Sequence, residues 1–191
     1  MLNKKFWGKV FKDQDTFDVS RRIIIGECAG AQHAAKATIF ALHRDNMKEA
    51  KEKQAYAEKI LIGLDKRFGK DFRLRMEGSW KAAVEEFVEA KLFMDFCEGK
   101  EIGEIKKFNI EADEYVGGLS DLTGEIIRKM VYWVTKKKVA EAEAAYLVVS
   151  EIIHDLMQKN LSGYLRTKVD QAKRSLHKGE EILYDISVRL K

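Results

Sequence analysis

An all-α fold is what this sequence predicts: a single-domain bundle of about six long antiparallel helices. Three observations carry it. Apolar residues recur in steps of three and four along almost the whole chain, the spacing of one helix face. No stretch alternates apolar and polar residues with the period of two that a half-buried strand needs. Proline, which breaks helix interiors, is absent from all 191 residues. A composition 46% hydrophobic and 35% charged belongs to a globular chain, and this length fills one buried core, residues 1–191, more readily than two.

The first helix is expected from Asp15 or Thr16, both good N-cap types, to about Arg44. Ile24, Cys28, Ala31, Ala35, Thr38 and Leu42 form one stripe on it. Gly26, Gly30, Ala34, Ala37 and Ala41 form a second, of small residues that let another backbone come close, so this helix should be central with neighbours on two sides. After the polar break at Asp45 and Asn46, a second helix follows Met47, Ala50, Gln54, Ala57, Leu61, Leu64 and Phe68 to a C-cap at Gly69. Asp71 should cap a third, which buries Phe72, Met76, Trp80, Val84, Phe87, Leu92 and Phe96 and stops at Gly99. The segment from Lys100 to Asn109 reads as a connector with at most one helical turn. A fourth helix, roughly Glu111 to Lys136, has its seam at Tyr115, Leu119, Leu122, Ile126, Met130 and Trp133. Val139, Ala142, Tyr146, Val149, Ile153 and Leu156 mark a fifth. Leu165, Val169, Ala172, Leu176, Leu183, Ile186 and Leu190 mark the sixth, with Gly179 at a seam position.

Charge and cysteine usage narrow the function classes. Lys and Arg number 35 against 31 Asp and Glu, a net charge of +4, so any polyanion site must come from local clustering. Cys28 and Cys97 lack CxxC or Cys/His metal spacing and read as reduced core thiols of an intracellular protein. The opening MLNKKFWGKVFK has no continuous apolar core and no small-residue cleavage site, and no apolar run approaches about 18 residues. Neither a signal peptide nor a membrane partner is therefore expected, and the expected location is cytoplasmic.

Acids placed inside apolar helices are the departure from a plain bundle. In WKAAVEEFVEAKLF, Trp80 to Phe93, Glu86 and Glu89 are three apart; in EYVGGLSDLTGEIIRKM, Asp121 and Glu125 are four apart. Each spacing puts both carboxylates on one side of a helix. Asp121 and Glu125 lie about 100° from their seam, beside Gly117, Ser120 and Gly124, which leave room for an ion, a phosphate or another helix. Two such helices packed together would surround a divalent cation. An isolated ExxE or DxxxE is more often solvated or ion-paired, but Glu86 and Glu89 are flanked by Ala82, Ala83 and Ala90 with Val88 and Phe93 nearby. Glu151 and His154 form an ExxH of the di-iron type, a class that needs two such motifs on different helices. His33, His43 and His177 read as structural or exposed.

The strings TIFALHR (Thr38 to Arg44), EEFVEAKLF (Glu85 to Phe93), YVGGLSDLTGEIIR (Tyr115 to Arg128) and LRTKVDQAKRSLHKGEEILYDISVR (Leu165 to Arg189) resemble, in order and over nearly the whole chain, segments of the translin family. Their EFVEA and DLTGE carboxylates are nearer to its factor X-like branch than to translin itself. The resemblance implies a translin-like protomer, a closed oligomeric shell of about eight subunits, and Mg²⁺- or Mn²⁺-dependent cleavage of single-stranded RNA inside it, with single-stranded DNA as a possible second ligand. By position, Glu86, Glu89, Asp121 and Glu125 match the family's catalytic and metal-binding acids. Arg75 and Lys36 fall where the family keeps basic residues near that site; Arg73 and Arg21, scattered surface charge by spacing alone, become candidate RNA contacts on the same ground. The chain departs from the pattern in lacking the basic N-terminal extension and the longer tail, and it has no Gly-rich phosphate loop. As the only family member in its cell it would form a homo-oligomer with acids in every subunit.

Phosphodiester hydrolysis needs charge neutralised on the non-bridging oxygens and a water made nucleophilic, and a hard divalent ion on carboxylates supplies both. Glu89 and Glu125 are the expected direct ligands, with Asp121 and Glu86 completing the shell or orienting the water. With no histidine expected near either acidic segment, attack by a 2′-OH is disfavoured and the product should carry a 5′-phosphate. The alternatives are a non-catalytic oligomer that binds single-stranded RNA or DNA and, with less support, a di-iron carboxylate protein.

Overall fold

Forty consecutive residues form the longest element, α1 (Lys4–His43). The computed structural model describes the backbone of residues 1–189 and the side chains of residues 1–188, so Leu190, assigned above to the last seam, lies outside the described residues. Helix α1 starts well before the expected Asp15 or Thr16. Asn3 is its cap, accepting the Phe6 N–H at 3.1 Å, whereas the Thr16 hydroxyl donates back to the Lys12 carbonyl at 2.8 Å and is committed inside the helix. Ile24, Cys28, Ala31, Ala35, Thr38 and Leu42 are all buried, against α2 (Met47–Phe68) and α4 (Gly78–Cys97). The central position expected of this helix is the one observed. Ala34 and Ala41 of the small-residue stripe are buried too, but Gly26 is open to solvent.

Asp71 caps a single turn and not the acidic helix. It accepts the N–H groups of Arg73 and Leu74 to start α3 (Phe72–Arg75), and the chain then breaks at Met76 and Glu77 before α4. Trp80, Val84, Phe87 and Leu92 are buried as expected. Phe72 and Met76 are corrections, at 75% and 45% exposed. The break turns Arg75 inward, where its guanidinium pairs with Glu114 through two bonds of 2.6 Å and lies over the Trp80 ring.

Glu114 also accepts the Glu111 N–H at 2.9 Å, completing the capping box that opens α5 (Ala112–Thr135). The connector before it carries no helix. It leaves α4 through Gly99 at φ +66, and Tyr115 pins it by donating to the Gly103 carbonyl at 2.7 Å. The remaining elements are α6 (Val139–Met157) and α7 (Gly163–Arg189), which pack with α5. Six of the seven helices among the described residues are long, and none is long and apolar enough to cross a membrane.

Close approach of α4 and α5 sets up the site. A Cβ at Gly118 would lie 2.7 Å from the Glu85 carbonyl oxygen and 2.8 Å from the Val88 Cβ, so only a residue without one fits. Gly118→Ala should therefore force the two helices apart and destabilise the chain by about 1–3 kcal/mol, each kcal/mol lowering Tm by roughly 2–4 °C at this length. A thermal melt identical to wild type would show that the helices are not in this contact.

Candidate active site

The approach of α4 to α5 brings Glu86 and Glu89 toward Asp121 and Glu125. Glu89 is only 8% exposed, and burial first, then the charges of Asp121, Glu86 and Glu125, push its carboxyl up to about 9. Glu86 and Asp121 are raised as well, each chiefly by burial; Asp121 and Glu125 add repulsion at Glu86, and Glu85 and Glu125 add it at Asp121. Carboxyls raise one another's proton affinity only when they are close, so the four predicted acids share one region. Glu89, Ser120, Asp121 and Gly124 line a cleft of about 250 Å³ there, together with Gln171 and Ser175 of α7.

Basic side chains approach the acids from α1, α5 and α7. Lys36 of α1 lies 3.7 Å from Glu86. The Glu125 carboxylate meets the His43 ring and, at 3.6 Å, Arg128. Lys168 of α7 bonds Asp121 and sits 2.7 Å from Glu85, and the Tyr164 hydroxyl donates to that same Glu85 at 2.6 Å. Glu86, Asp121 and Glu125 are thus each turned toward a base. Among the described residues Glu89 has neither a hydrogen-bond nor an ion-pair partner, and no three His, Cys, Asp or Glu side chains are gathered so as to hold an ion. The donor chemistry still suits a hard cation. The acids offer oxygen alone, and a cation beside Glu89 would offset the burial and the neighbouring charges that raise its proton affinity.

Lys36 is the only one of the predicted basic residues that the structure puts beside the acids. Arg75 is 5% exposed and committed to Glu114, so the expected phosphate contact is corrected to a structural ion pair. Arg73 reaches Asp13 at 3.2 Å and lies over Phe17, and Arg21 holds Glu77 at 2.7 Å; both sit along α1 and α3, tied to acids other than the four. Glu151 and His154 are exposed, which removes the inward-facing ligands a di-iron centre needs.

Three contributors escaped the sequence reading. His43 contradicts the expectation that no histidine approaches the acids; it follows Lys36 by seven residues, two turns on the same face, and that spacing was a usable signal. Glu85 and Lys168 left none, because a Glu beside Glu86 and a Lys in a charged helix read as solvated.

A model of the translin family matches residues 20–190. The chain belongs to the translin family. No curated protein matches it by sequence. Among solved structures, apo-NeC3PO superposes with a TM-score of 0.86 at 18% identity over 96% of this chain and 97% of that one. AfC3PO in complex with duplex RNA gives 0.85 at 17%, over 96% and 97%, and AfC3PO itself 0.85 at 19%, over 97% and 99%. At these identities the likeness is one of fold. The acids, Lys36, His43 and Lys168 of this translin-family chain all fall inside the matched region.

Two measurements follow from the charges. The folded Glu89 carboxyl holds its proton to about 9, against an ordinary 4.5, so between these values the folded chain keeps a proton that the unfolded chain releases. Its contribution to stability is whole below the ordinary value and is lost as pH rises toward the raised one. Glu89→Gln should flatten that decline and raise the metal-free Tm at pH 8 by at least ~2–4 °C, the shift that about 1 kcal/mol produces at this length; melts from pH 5 to 9 with equal slopes in both proteins would contradict it. Arg75→Ala leaves Glu114 buried without its partner and should destabilise by about 3–5 kcal/mol. RNA affinity of the folded fraction should be unchanged, and a selective loss of RNA binding at wild-type stability would return Arg75 to the binding surface.

Proposed function

We propose that this translin-family chain is a metal-dependent endoribonuclease of the factor X-like kind, hydrolysing single-stranded RNA inside a closed homo-oligomer of about eight subunits in the cytoplasm. Glu89 carries the reading. A carboxylate sunk in a helix bundle without a partner, pushed up to about 9 by burial and three neighbouring acids, destabilises the fold and is not explained by packing. Glu89 and Glu125 would hold Mg²⁺ or Mn²⁺ directly, with Asp121 and Glu86 completing the shell or orienting the attacking water. The bound ion supplies Lewis acidity toward a phosphoryl oxygen and lowers the pKa of bound water.

The chain's own residues do the rest. Lys36, more than half exposed and 3.7 Å from Glu86, stands beside the acids with its ammonium open to a phosphate. Lys168 fixes Asp121, with Glu85 and Tyr164 fixing Lys168 in turn. His43 holds Glu125 from α1. Among the described residues no second histidine joins it, since His33, His154 and His177 are exposed, so the acid–base pair for 2′-OH attack is incomplete and the product should carry a 5′-phosphate. The complex of AfC3PO with duplex RNA supports RNA as the ligand. Single strands are favoured here because Glu89 lies deep, and an unpaired strand bends down to it more easily than a paired one. Single-stranded DNA, lacking only the 2′-OH, is the nearest competitor. Exposed Phe6, Trp7, Phe11 and Phe40 support self-association.

One observation favours a non-catalytic RNA-binding oligomer: Lys36, His43, Arg128 and Lys168 already face three of the four acids. A cleavage assay on single-stranded and duplex RNA, with and without EDTA, separates the readings when paired with Mn²⁺ binding by calorimetry. Wild type should cleave the single strand only with metal. Glu89→Gln and Asp121→Asn should abolish cleavage and weaken Mn²⁺ binding, with RNA binding kept or tightened. Full activity in either variant, or cleavage that survives chelation, overturns the nuclease; RNA binding without cleavage in Mn²⁺-loaded wild type selects the second reading.

A further inference from the structure

The apolar stripe of α1 does not end where the bundle ends. Its first buried residue is Ile24, so the twenty residues from Lys4 to Ile23 extend some 30 Å at the helical rise of about 1.5 Å. Along them the same stripe continues in register, from Ile24 back to Phe17 and Val10 at seven-residue steps and to Phe6 one turn further. Phe17 is partly covered, packed on the core beneath Arg73. Beyond it Phe6, Trp7, Val10 and Phe11 are exposed. A face that buries its residues against α2 and α4 in one half is thus carried on through the other, partly covered at Phe17 and bare from Phe11 outward.

Charge says what covers it. Lys4, Lys5, Lys9 and Lys12 occupy the outer part of this segment, and Asp13, Asp15 and Asp18 the inner part. An anionic membrane or RNA would meet the lysines and be repelled by the aspartates a turn or two away. A second copy of the same segment running antiparallel matches both. Centred on Phe11, antiparallel alignment sets Lys4 opposite Asp18 and Lys9 opposite Asp13, with the aromatic residues along the middle; parallel alignment would set lysine on lysine. Asp13 pairs with Arg73 in its own chain, but both side chains are more than half exposed and that contact is exchangeable. We infer that the projecting half of α1 is a twofold interface in which two copies of this chain pair antiparallel about Phe11, and that it is one of the contacts that builds the oligomer. The inference extends the self-association in the function proposed above and is independent of the nuclease chemistry.

Charge reversal tests it, because every altered side chain is on the surface. Sedimentation equilibrium should show that Lys4→Glu/Lys9→Glu and Asp13→Lys/Asp18→Lys each lower the assembled mass at least twofold relative to wild type, with helix content by circular dichroism unchanged. Mixing the two variants should restore the mass, as should all four changes in one chain. Phe11→Cys should form a disulfide-linked dimer on mild oxidation, since residues at a twofold axis face their own copies. Wild-type mass in both charge variants, or no recovery on mixing, overturns this interface while leaving self-association and the nuclease standing. A wild type that is monomeric at micromolar concentration and sediments with phosphatidylserine vesicles overturns the interface together with the oligomer, and names a membrane as the occupant.

Discussion

Backbone contact between α4 and α5 is the constraint on which the rest of the molecule depends. Where Gly118 meets Glu85 and Val88 there is no space for a side chain, and this closeness draws acids from both helices into one cleft. Like charges in a poorly solvated place repel, and the remaining helices are arranged to answer that. Helix α1 brings Lys36 and His43 to one side and α7 brings Lys168 to the other. Three of the four acids are met in this way. Glu89 is not, and it stands where an added positive charge would act most strongly.

Away from the cleft, Glu114 ties three parts of the chain together. It accepts the Glu111 N–H that opens α5 and receives both arms of Arg75, while Arg75 also reaches the Asn109 carbonyl at the end of the connector. Such a pair is well satisfied yet intolerant of losing one member. It fixes where α5 begins and, through that, which side of α5 carries Asp121 and Glu125 toward α4. An arginine that looked available for phosphate is therefore the foundation of the site's geometry.

The periodicity of the chain gave a sound account of the helices because burial on a helix obeys a local rule. Every member of the Ile24 to Leu42 stripe is buried, and Leu122, Ile126 and Met130 hold the α5 seam. What that rule missed was set by distant partners. The break at Met76 and Glu77 is hidden by the unbroken step from Phe72 to Met76 to Trp80, and it answers to an acid 39 residues away from Arg75. The start of α1 escaped because its first turns bury little, leaving only the Asn3 cap to mark it. The spacing of Glu86, Glu89, Asp121 and Glu125 on their helices was legible, and so was the inward setting of α4. Their bases were less so: Lys168 meets Asp121 across 47 residues, and nothing in a run of Lys and Glu says which will fold inward.

Helix α1 is unbroken from Lys4 to His43, and that continuity has a mechanical consequence. Phe11 and Lys36 are 25 residues apart on one rod, about 37 Å at the helical rise. The inner half of that rod is the fixed end, because its Ile24 to Leu42 stripe is buried against α2 and α4, and Lys36 rides on it. The 3.7 Å between Lys36 and Glu86 is therefore set by how α1 lies on α4. A load applied to the outer half of α1 is carried by the same packing that positions the acids.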